Sequence, residues 1–163
     1  MRVEHTLSPI YDKNSKVLIL GSIPSLKSRE IGFYYAHPRN RFWKVLSTIY
    51  QEPILDNKQA KINFLKKHHI ALFDVLKSCE ITSSRDDSIK DPIPNDLEPI
   101  LKTANIKAIF TTGKKAYQLY QKYIYATTQI KAISLPSTSP LNCKKGIEEI
   151  LEKEYQIIKK YTN

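Results

Sequence analysis

Four short apolar segments, rich in β-branched residues, recur along the chain. They lie at Lys16–Leu20, Ile70–Val75, Ile106–Thr111 and Ile130–Leu135. Each is apolar at nearly every position rather than at alternate positions, as expected of strands that are covered on both faces of a parallel sheet. The pattern therefore predicts four buried strands.

Helical periodicity fills the intervals between these strands. Apolar residues at Phe42, Val45, Leu46 and Ile49 recur at the i, i+3, i+4 and i+7 spacing of one helix face. Further helices are predicted at Asn57–Lys67, Pro94–Ala104, Lys114–Ile124 and Lys144–Lys160. We expect Asn95 to be the N-cap of the helix at 94–104.

The alternation of strands and helices predicts an α/β fold. Its expected form is a three-layer α/β/α sandwich with a central four-stranded parallel sheet. No internal repeat or Gly/Ser linker interrupts the 163 residues, so we expect a single domain over residues 1–163. Sheets of this type bind their ligands at the carboxyl ends of the strands. The loops that follow the strands are therefore the candidate site.

Composition narrows the class of protein. A chain that is 41% hydrophobic and 26% charged is typical of globular proteins. No apolar run approaches the ~20 residues of a membrane span, and Met1–His5 lacks the layout of a signal peptide. Two cysteines, Cys79 and Cys143, provide neither a disulfide framework nor a four-cysteine metal site. We expect a cytoplasmic protein with no membrane partner.

The chain carries a large excess of positive charge. It has 26 Lys and Arg against 16 Asp and Glu, a formal net charge of +10. Such an excess favours polyanionic partners, because Lys and Arg release condensed counterions when they bind phosphates. Net charge alone does not distinguish a nucleic-acid-binding protein from a basic protein that is only highly soluble. The positions of the basic residues must distinguish these two explanations.

Glycine, proline and serine follow three of the four predicted strands. The loops are Gly21–Ser25, Thr112–Gly113 and Pro136–Asn142, while Asp74 ends the remaining strand. Each loop alone is explained as a turn. Together, two serine–proline loops at one edge of the sheet indicate a site for phosphate, water or an oxyanion. Neither GxxxxGKS/T nor GxGxxG occurs, which excludes the usual nucleoside-triphosphate and dinucleotide loops.

The densest group of distinctive residues is Gly32–Trp43, GFYYAHPRNRFW. Aromatic rings stack on bases, and guanidinium groups pair with phosphates. Helical spacing assigns Phe42 and Trp43 to the core. Tyr34 and Tyr35 are harder to assign to the core, because they lie in a loop before a proline.

In combination these motifs resemble the uracil-DNA glycosylase superfamily. The resemblance covers about residues 16–142 and rests on GSIPS at 21–25, GFYYAHPRNRFW at 32–43 and LPSTSPLN at 135–142. The middle motif is most similar to the mismatch-specific uracil glycosylases. With Leu72–Leu76 and Ser84–Lys90 included, the set resembles the hypoxanthine (deoxyinosine) DNA glycosylase branch more closely.

The resemblance implies that Ser22–Ser25 forms the loop that holds the attacking water and the sugar. Superfamily members commonly carry Asp or Asn where this chain has Ile23, which has neither a donor nor an acceptor. Asn40 is then expected to position water or stabilise the leaving group, with Ser22 and Ser25 as the other catalytic candidates. Alternatively, Asn40 is the N-cap of the helix that follows it.

The base-binding candidates are Tyr35, Asp74, Ile23, Phe33 and Ser137. By resemblance, Tyr35 stacks on the base, and Tyr34 is its alternative or packs beneath the loop. An ionised Asp74 only accepts hydrogen bonds, so it suits the N1–H of hypoxanthine and repels the N1 lone pair of adenine. A turn-capping role for Asp74 is equally open. Ser137 stands where uracil glycosylases carry His, and Ser84–Ser88 is either pocket lining or a helix N-cap.

The DNA-binding candidates are Ser139, Pro140, Leu141, Asn142, Arg39 and Lys144. The resemblance implies that Leu141 fills the space vacated by a flipped nucleotide and holds the kinked duplex open. Ser139 is a candidate phosphate ligand, and Arg39 and Lys144 add positive charge beside the two loops. For Lys144 the alternative is a solvated helix face.

The sequence thus predicts a monofunctional DNA glycosylase that removes a deaminated base, with hypoxanthine preferred. Its expected partner is double-stranded DNA containing a damaged base, and it is expected to act as a monomer with no metal and no cofactor. His37 is expected to fix its loop by hydrogen bonding. The alternatives are a mismatch-type uracil-DNA glycosylase, a catalytically silent protein that binds damaged DNA, and a small nucleotide-binding enzyme on the same sheet.

Overall fold

The computed structural model describes residues 1–82 and 88–163. The strands in this part of the chain are β1 (Arg2–Glu4), β2 (Val17–Gly21), β3 (Ile70–Asp74), β4 (Leu76–Glu80), β5 (Lys90–Pro94), β6 (Ala108–Thr112) and β7 (Ala132–Leu135). The helices are α1 (Leu26–Ile31), α2 (Phe42–Tyr50), α3 (Lys58–Lys67), α4 (Glu98–Thr103), α5 (Lys114–Tyr123), α6 (Tyr125–Thr128), α7 (Ile147–Glu154) and α8 (Ile157–Thr162).

The four predicted strands form one parallel sheet in the order β3-β2-β6-β7. Every residue of β2 is buried, as its continuous apolar pattern predicts. Alternate side chains of β2 enter two separate cores: Val17 and Ile19 pack in one, and Leu18 and Leu20 pack in the other. The sheet is therefore covered on both faces, and the predicted three-layer α/β/α sandwich is confirmed.

Different helices supply the two cores. The first core takes buried residues from α2, α3, α7 and α8, such as Phe42 and Leu151. The second core takes them from α4 and α5, such as Ile100 and Tyr120. Burying each such apolar side chain stabilises the fold by about 1.5–3 kcal/mol. Because the four strands are parallel, their carboxyl ends meet at one edge of the sheet. The helices packed on both faces hold the sheet in this arrangement.

A second, antiparallel sheet joins β1, β4 and β5 in the order β1-β4-β5. It was not predicted, because these strands are short and polar, and β5 contains two prolines. In this sheet Arg2 pairs with Glu80 and Glu4 pairs with Ser78. The sheet fixes the beginning of the chain beside the strand that follows Asp74.

Two helix predictions are partly wrong, one at its beginning and one in its middle. The segment Pro94–Ala104 becomes helical only at Glu98, and Asn95 is not its N-cap: the Asn95 amide donates to the carbonyls of Asp74 and Leu76 instead. The predicted helix at 144–160 is divided into α7 and α8 around Tyr155. Of the polar segment Ser84–Ser88, the part at 84–87 lies outside the described residues.

The helices of the described residues are short. None of them is long and apolar enough to cross a membrane.

Candidate active site

The carboxyl ends of β2 and β3 form the floor of the candidate site. Gly21 and Asp74 are paired neighbours in the parallel ladder. A β-carbon on residue 21 would lie 2.6 Å from Asp74 Oδ1 and 3.3 Å from the Tyr35 hydroxyl oxygen. Only glycine leaves room for this convergence. The glycine that ends β2 is therefore needed for a close approach of two polar side chains.

Asp74 is a buried carboxylate with a histidine partner. Its side chain is 5% exposed, and its Oδ2 atom lies 2.9 Å from Nε2 of His5, which is 2% exposed. Burial raises the pKa of Asp74, whereas the hydrogen bond and charge of His5 and a hydrogen bond from the Gly21 backbone N–H oppose this rise. No sequence signal marks His5, because it lies 69 residues from Asp74 and outside every motif.

Tyr35 is the aromatic residue that faces this floor. Its hydroxyl group lies 3.1 Å from Thr112 Oγ1, at the end of β6. Its ring stacks on Phe42 with the centroids 3.9 Å apart, so one ring face is already covered. Its φ of 51° is left-handed. Burial, together with the negative charge of Asp74, raises the pKa of Tyr35 and keeps its phenol neutral.

Tyr34 and Phe33 belong to the core rather than to the site. Tyr34 is 2% exposed, and its hydroxyl group donates to the Ser8 carbonyl at 2.8 Å. Phe33 is also buried and stacks on Trp43 at 5.8 Å, so the structure does not support its assignment as a base-binding residue. Trp43 in turn donates its indole N–H to the Tyr34 carbonyl. The two tyrosines, which the sequence could not separate, thus have different environments.

Asn40 lies in a tight loop before α2. His37 organises this loop: its Nδ1 accepts from the Arg39 N–H, and its carbonyl accepts from the Asn40 N–H. Asn40 Oδ1 accepts from the Phe42 N–H at 2.9 Å, although the N-cap position itself belongs to Arg41. The side-chain amide N–H₂ of Asn40 has no hydrogen-bond partner among residues 1–82 and 88–163. Asn40 is thus fixed by its oxygen and offers donors at its nitrogen.

The loop after β7 is held by Arg41. The Arg41 backbone N–H donates to the Thr138 carbonyl at 3.0 Å, and its Nη1 donates to the carbonyls of Ser139 and Asn142, both at 3.1 Å. The Asn142 amide donates to the Ser137 carbonyl. These contacts connect the start of α2, beside Asn40, to the loop at 136–142. The sequence predicts that guanidinium groups of the motif at 32–43 pair with phosphates, whereas the structure shows that of Arg41 bound to backbone carbonyls.

Within this loop the polar side chains of Ser137, Ser139 and Asn142 bind the loop's own backbone, and one apolar side chain is exposed. The hydroxyl oxygen of Ser137 accepts from the Ser139 N–H, and that of Ser139 accepts from the Leu141 N–H. Pro140 is half-buried, whereas the side chain of Leu141 is 62% exposed. An apolar side chain that is presented by a hydrogen-bonded loop is available to contact a ligand.

The serines in the loop after β2 make mainly structural contacts. Ser25 Oγ accepts from the Ser28 N–H at 3.1 Å and is the N-cap of α1, so the geometry gives no support to Ser25 as a catalytic residue. Ser22 is buried, and its carbonyl accepts from the Leu76 N–H. Ile23 is half-buried against the second core.

Basic side chains flank both loops. Arg39 and Lys144 are exposed, as are the neighbouring Lys145 and Leu141. The exposed cations Arg39, Lys144 and Lys145 lie beside these loops in the sequence, and positive charge attracts phosphate groups. Within residues 1–82 and 88–163, no group of three or more histidine, cysteine or acidic side chains is arranged to hold a metal ion.

A match over most of the sequence shows the family of the chain. The family model of the uracil DNA glycosylase superfamily matches residues 8–159. The chain belongs to this superfamily. Enzymes of the superfamily are hydrolytic N-glycosylases, so the predicted enzyme class, a DNA glycosylase, is confirmed.

Two curated relatives match most of the chain. The chain is 36% identical over 110 residues to a hypoxanthine DNA glycosylase of Methanosarcina barkeri, a match that covers 66% of this chain and 70% of that protein. It is 31% identical over 137 residues to a hypoxanthine DNA glycosylase of Methanosarcina acetivorans, which covers 82% of this chain and 84% of that protein. The predicted resemblance to this branch of the superfamily is confirmed.

A solved structure shares the superfamily fold. It is a solution NMR structure from Methanosarcina acetivorans, described as a candidate uracil DNA glycosylase, with a TM-score of 0.79 and 28% identity. The match covers 97% of this chain and 99% of that one. The parallel sheet and the helices on both of its faces are therefore those of a uracil DNA glycosylase superfamily member.

Proposed function

We propose that this glycosylase removes hypoxanthine from double-stranded DNA. The observation that carries the proposal is the buried carboxylate of Asp74 at the end of β3, held by His5 and beside Tyr35. The names of the two curated relatives support the same substrate. The target nucleotide would be flipped out of the duplex so that its base reaches the carboxyl ends of the strands.

The chemistry of Asp74 favours hypoxanthine over adenine. An ionised carboxylate accepts the N1–H of hypoxanthine and repels the N1 lone pair of adenine. Each carboxylate oxygen can accept two hydrogen bonds. The contacts from His5 and the Gly21 backbone N–H therefore leave acceptor positions for a base.

Tyr35 supplies the stacking surface in this proposal. Phe42 covers one face of its ring, so the base would stack on the opposite face. Stacking on an aromatic side chain contributes about 1–3 kcal/mol per base. The Phe42 contact, and the bond to Thr112, hold the ring in place before the base arrives.

Asn40 is the proposed catalytic residue. Breaking the N-glycosidic bond produces a sugar cation, and water must attack it while the base leaves with its electron pair. The Asn40 amide N–H₂ can donate to the leaving base or to that water, and its oxygen is fixed by the Phe42 N–H. No lysine lies in the loops at 21–25, 32–43 and 136–142, so the proposed attack is by water rather than by an amine.

The loop at 136–142 is the proposed DNA-binding element. Leu141 is exposed and would occupy the space that the flipped nucleotide leaves. Ser139 and Pro140 would lie against the duplex backbone, with Arg39 and Lys144 pairing with phosphates. Arg41 fixes the loop through three backbone carbonyls.

The test is base release from matched duplexes that contain deoxyinosine, deoxyuridine, deoxyxanthosine or no lesion. We expect hypoxanthine to be released fastest, and Asn40→Ala to reduce turnover about 10²-fold or more while duplex affinity is largely kept. Release of uracil without hypoxanthine would instead show a mismatch-type uracil glycosylase. Binding to the lesion duplex with no base release would show a silent damage-binding protein.

A further inference from the structure

His5 reaches the site from the second sheet. It follows β1 directly, and its backbone N–H donates to the Lys77 carbonyl in β4 at 2.8 Å. Because β4 begins two residues after Asp74, this pairing brings the first strand of the chain alongside the end of β3. The antiparallel sheet therefore delivers the His5 side chain to the Asp74 carboxylate.

The imidazole ring of His5 is held on several sides. It contacts the edge of Phe73 with the centroids 5.0 Å apart and is tilted against Tyr34 at 6.2 Å. Its Nε2 atom lies 2.9 Å from Asp74 Oδ2, and both side chains are almost fully buried. An enclosed imidazole of this kind has little freedom to turn away from the carboxylate.

We propose that His5 is a positioning residue for base recognition, donating its Nε2–H to Asp74 so that the carboxylate stays ionised and keeps one orientation. The proposal rests on the proposed role of Asp74 in reading hypoxanthine. It gives the antiparallel sheet a function, because that sheet carries the side chain which prepares the acceptor. His5 itself acts through Asp74 and not on the base.

The surroundings of Asp74 explain why such a partner is needed. Burial raises the pKa of Asp74, which favours the neutral acid, and a neutral acid would lose part of its acceptor capacity. The titratable groups that also interact with Asp74 are the phenols of Tyr34 and Tyr35, and the pKa of each is raised, chiefly by burial. They are neutral, so they supply no compensating charge. His5 and the Gly21 backbone N–H remain as the donors that favour the ionised form.

The experiment titrates the Asp74 carboxyl carbon by NMR in protein labelled with ¹³C-aspartate, with Asp74→Asn to assign the signal. His5→Phe removes the donor and keeps an aromatic ring, whereas His5→Gln keeps a donor of similar reach. We expect the Asp74 pKa to rise in His5→Phe and to return toward the wild-type value in His5→Gln. His68→Phe is the matched control, since His68 also contacts a carboxylate, Glu52 at 3.3 Å, but lies at the end of α3.

The second readout is the pH profile of kcat/KM for hypoxanthine release. In His5→Phe the acid limb of this profile should move to higher pH. On that limb kcat/KM should fall about tenfold, as expected when one charge-assisted hydrogen bond is removed. His5→Gln should restore most of this loss, and His68→Phe should leave the profile unchanged. If His5→Phe does not fold, His5→Asn, whose shorter amide falls short of Asp74, replaces it in both measurements.

The two readouts separate the possible failures. An Asp74 titration that is the same in wild type and His5→Phe overturns the role of His5, even if hypoxanthine is released. Absence of hypoxanthine release from the wild-type enzyme overturns the proposed function and, with it, the recognition role. A changed Asp74 titration in that case would show that the His5 contact acts on Asp74 alone.

Discussion

The contact between Gly21 and Asp74 makes a sharp prediction at the scale of a single residue. Gly21→Ala would place a methyl group 2.6 Å from Asp74 Oδ1, so the carboxylate must move. A displacement of about 1 Å at a reacting or recognising group can cost about 10²-fold in rate. We therefore expect a strong loss of hypoxanthine release, with about 1–3 kcal/mol of destabilisation from overpacking. Base-release kinetics and denaturant unfolding measure the two effects, and an unchanged rate would contradict the close approach.

Asp74→Asn is predicted to change base preference. An amide can keep both protein contacts: its oxygen can accept from the Gly21 N–H, and its nitrogen can donate to Nε2 of His5 once the ring takes the tautomer protonated at Nδ1. It also presents a donor, which the O4 and O2 atoms of uracil accept and the N1–H of hypoxanthine does not. We expect the ratio of hypoxanthine to uracil release to fall. Competition between the two lesion duplexes measures this ratio, and an unchanged ratio would exclude Asp74 from recognition of the base.

Asp74 also makes stability depend on pH. Its folded-state pKa is raised above the ordinary value of 3.8, so the folded protein binds the proton more tightly than the unfolded chain. The resulting stabilisation is fully present below pH 3.8 and is lost as the pH rises through the folded-state pKa. Each pKa unit of difference between the folded and the unfolded state contributes about 1.4 kcal/mol to the free energy of unfolding. Denaturant unfolding across this range should show the decline in wild type and not in Asp74→Asn; equal profiles would show that Asp74 is not perturbed.

At the scale of elements, Arg41 joins α2 to the loop at 136–142. Arg41→Lys replaces a guanidinium group that contacts two carbonyls with a single ammonium group, so the loop should lose much of its order. We expect faster hydrogen exchange at amides of this loop and a lower kcat/KM. Arg39→Lys is the matched control, because Arg39 is exposed and its guanidinium group makes no hydrogen bond among the described residues. If neither substitution has an effect, positive charge at residue 41 is enough, because lysine keeps that charge.

The elements differ in how far the sequence determines them. The four parallel strands could be predicted because burial on both faces requires continuous apolar residues. The strands β1 and β5 could not be predicted, since they are exposed at most positions and depend on pairing with β4. Asn95 has the side chain of a good N-cap, but its amide instead donates hydrogen bonds to two carbonyls near the end of β3. Local propensity therefore fails where a tertiary contact decides.

The candidate site shows the same division. Tyr35 and Asn40 could be proposed because they belong to one contiguous motif, and Asp74 because it ends a predicted strand. His5 and Arg41 act through partners 69 and about 100 residues away in the sequence, and no spacing rule connects them. Phe33 shares its motif with several other aromatic residues, and only packing shows that its ring is buried against Trp43.

At the scale of the whole molecule, the net charge of +10 predicts salt-dependent DNA binding. Each phosphate contact contributes about 0.9 to the slope of log affinity against log salt. If both residues pair with phosphates, Arg39→Ala combined with Lys144→Ala should reduce the magnitude of this slope by about 1.8, the contribution of two phosphate contacts. Lys66→Ala, an exposed lysine near the end of α3, is the control and should leave the slope nearly unchanged. Equal slopes for all variants would place the DNA elsewhere on the surface.

The strand order has a consequence for how the enzyme reaches its active form. β2 pairs with β3, some fifty residues later in the chain, and with β6, where Val17 meets Ala108. Chain closure over such distances is slow, because its entropic cost precedes any gain from packing. Gly21, Asp74 and Thr112 are brought together only by these two closures. A nascent chain therefore has no partly working catalytic centre, and activity should return during refolding only together with the last long-range strand pairing.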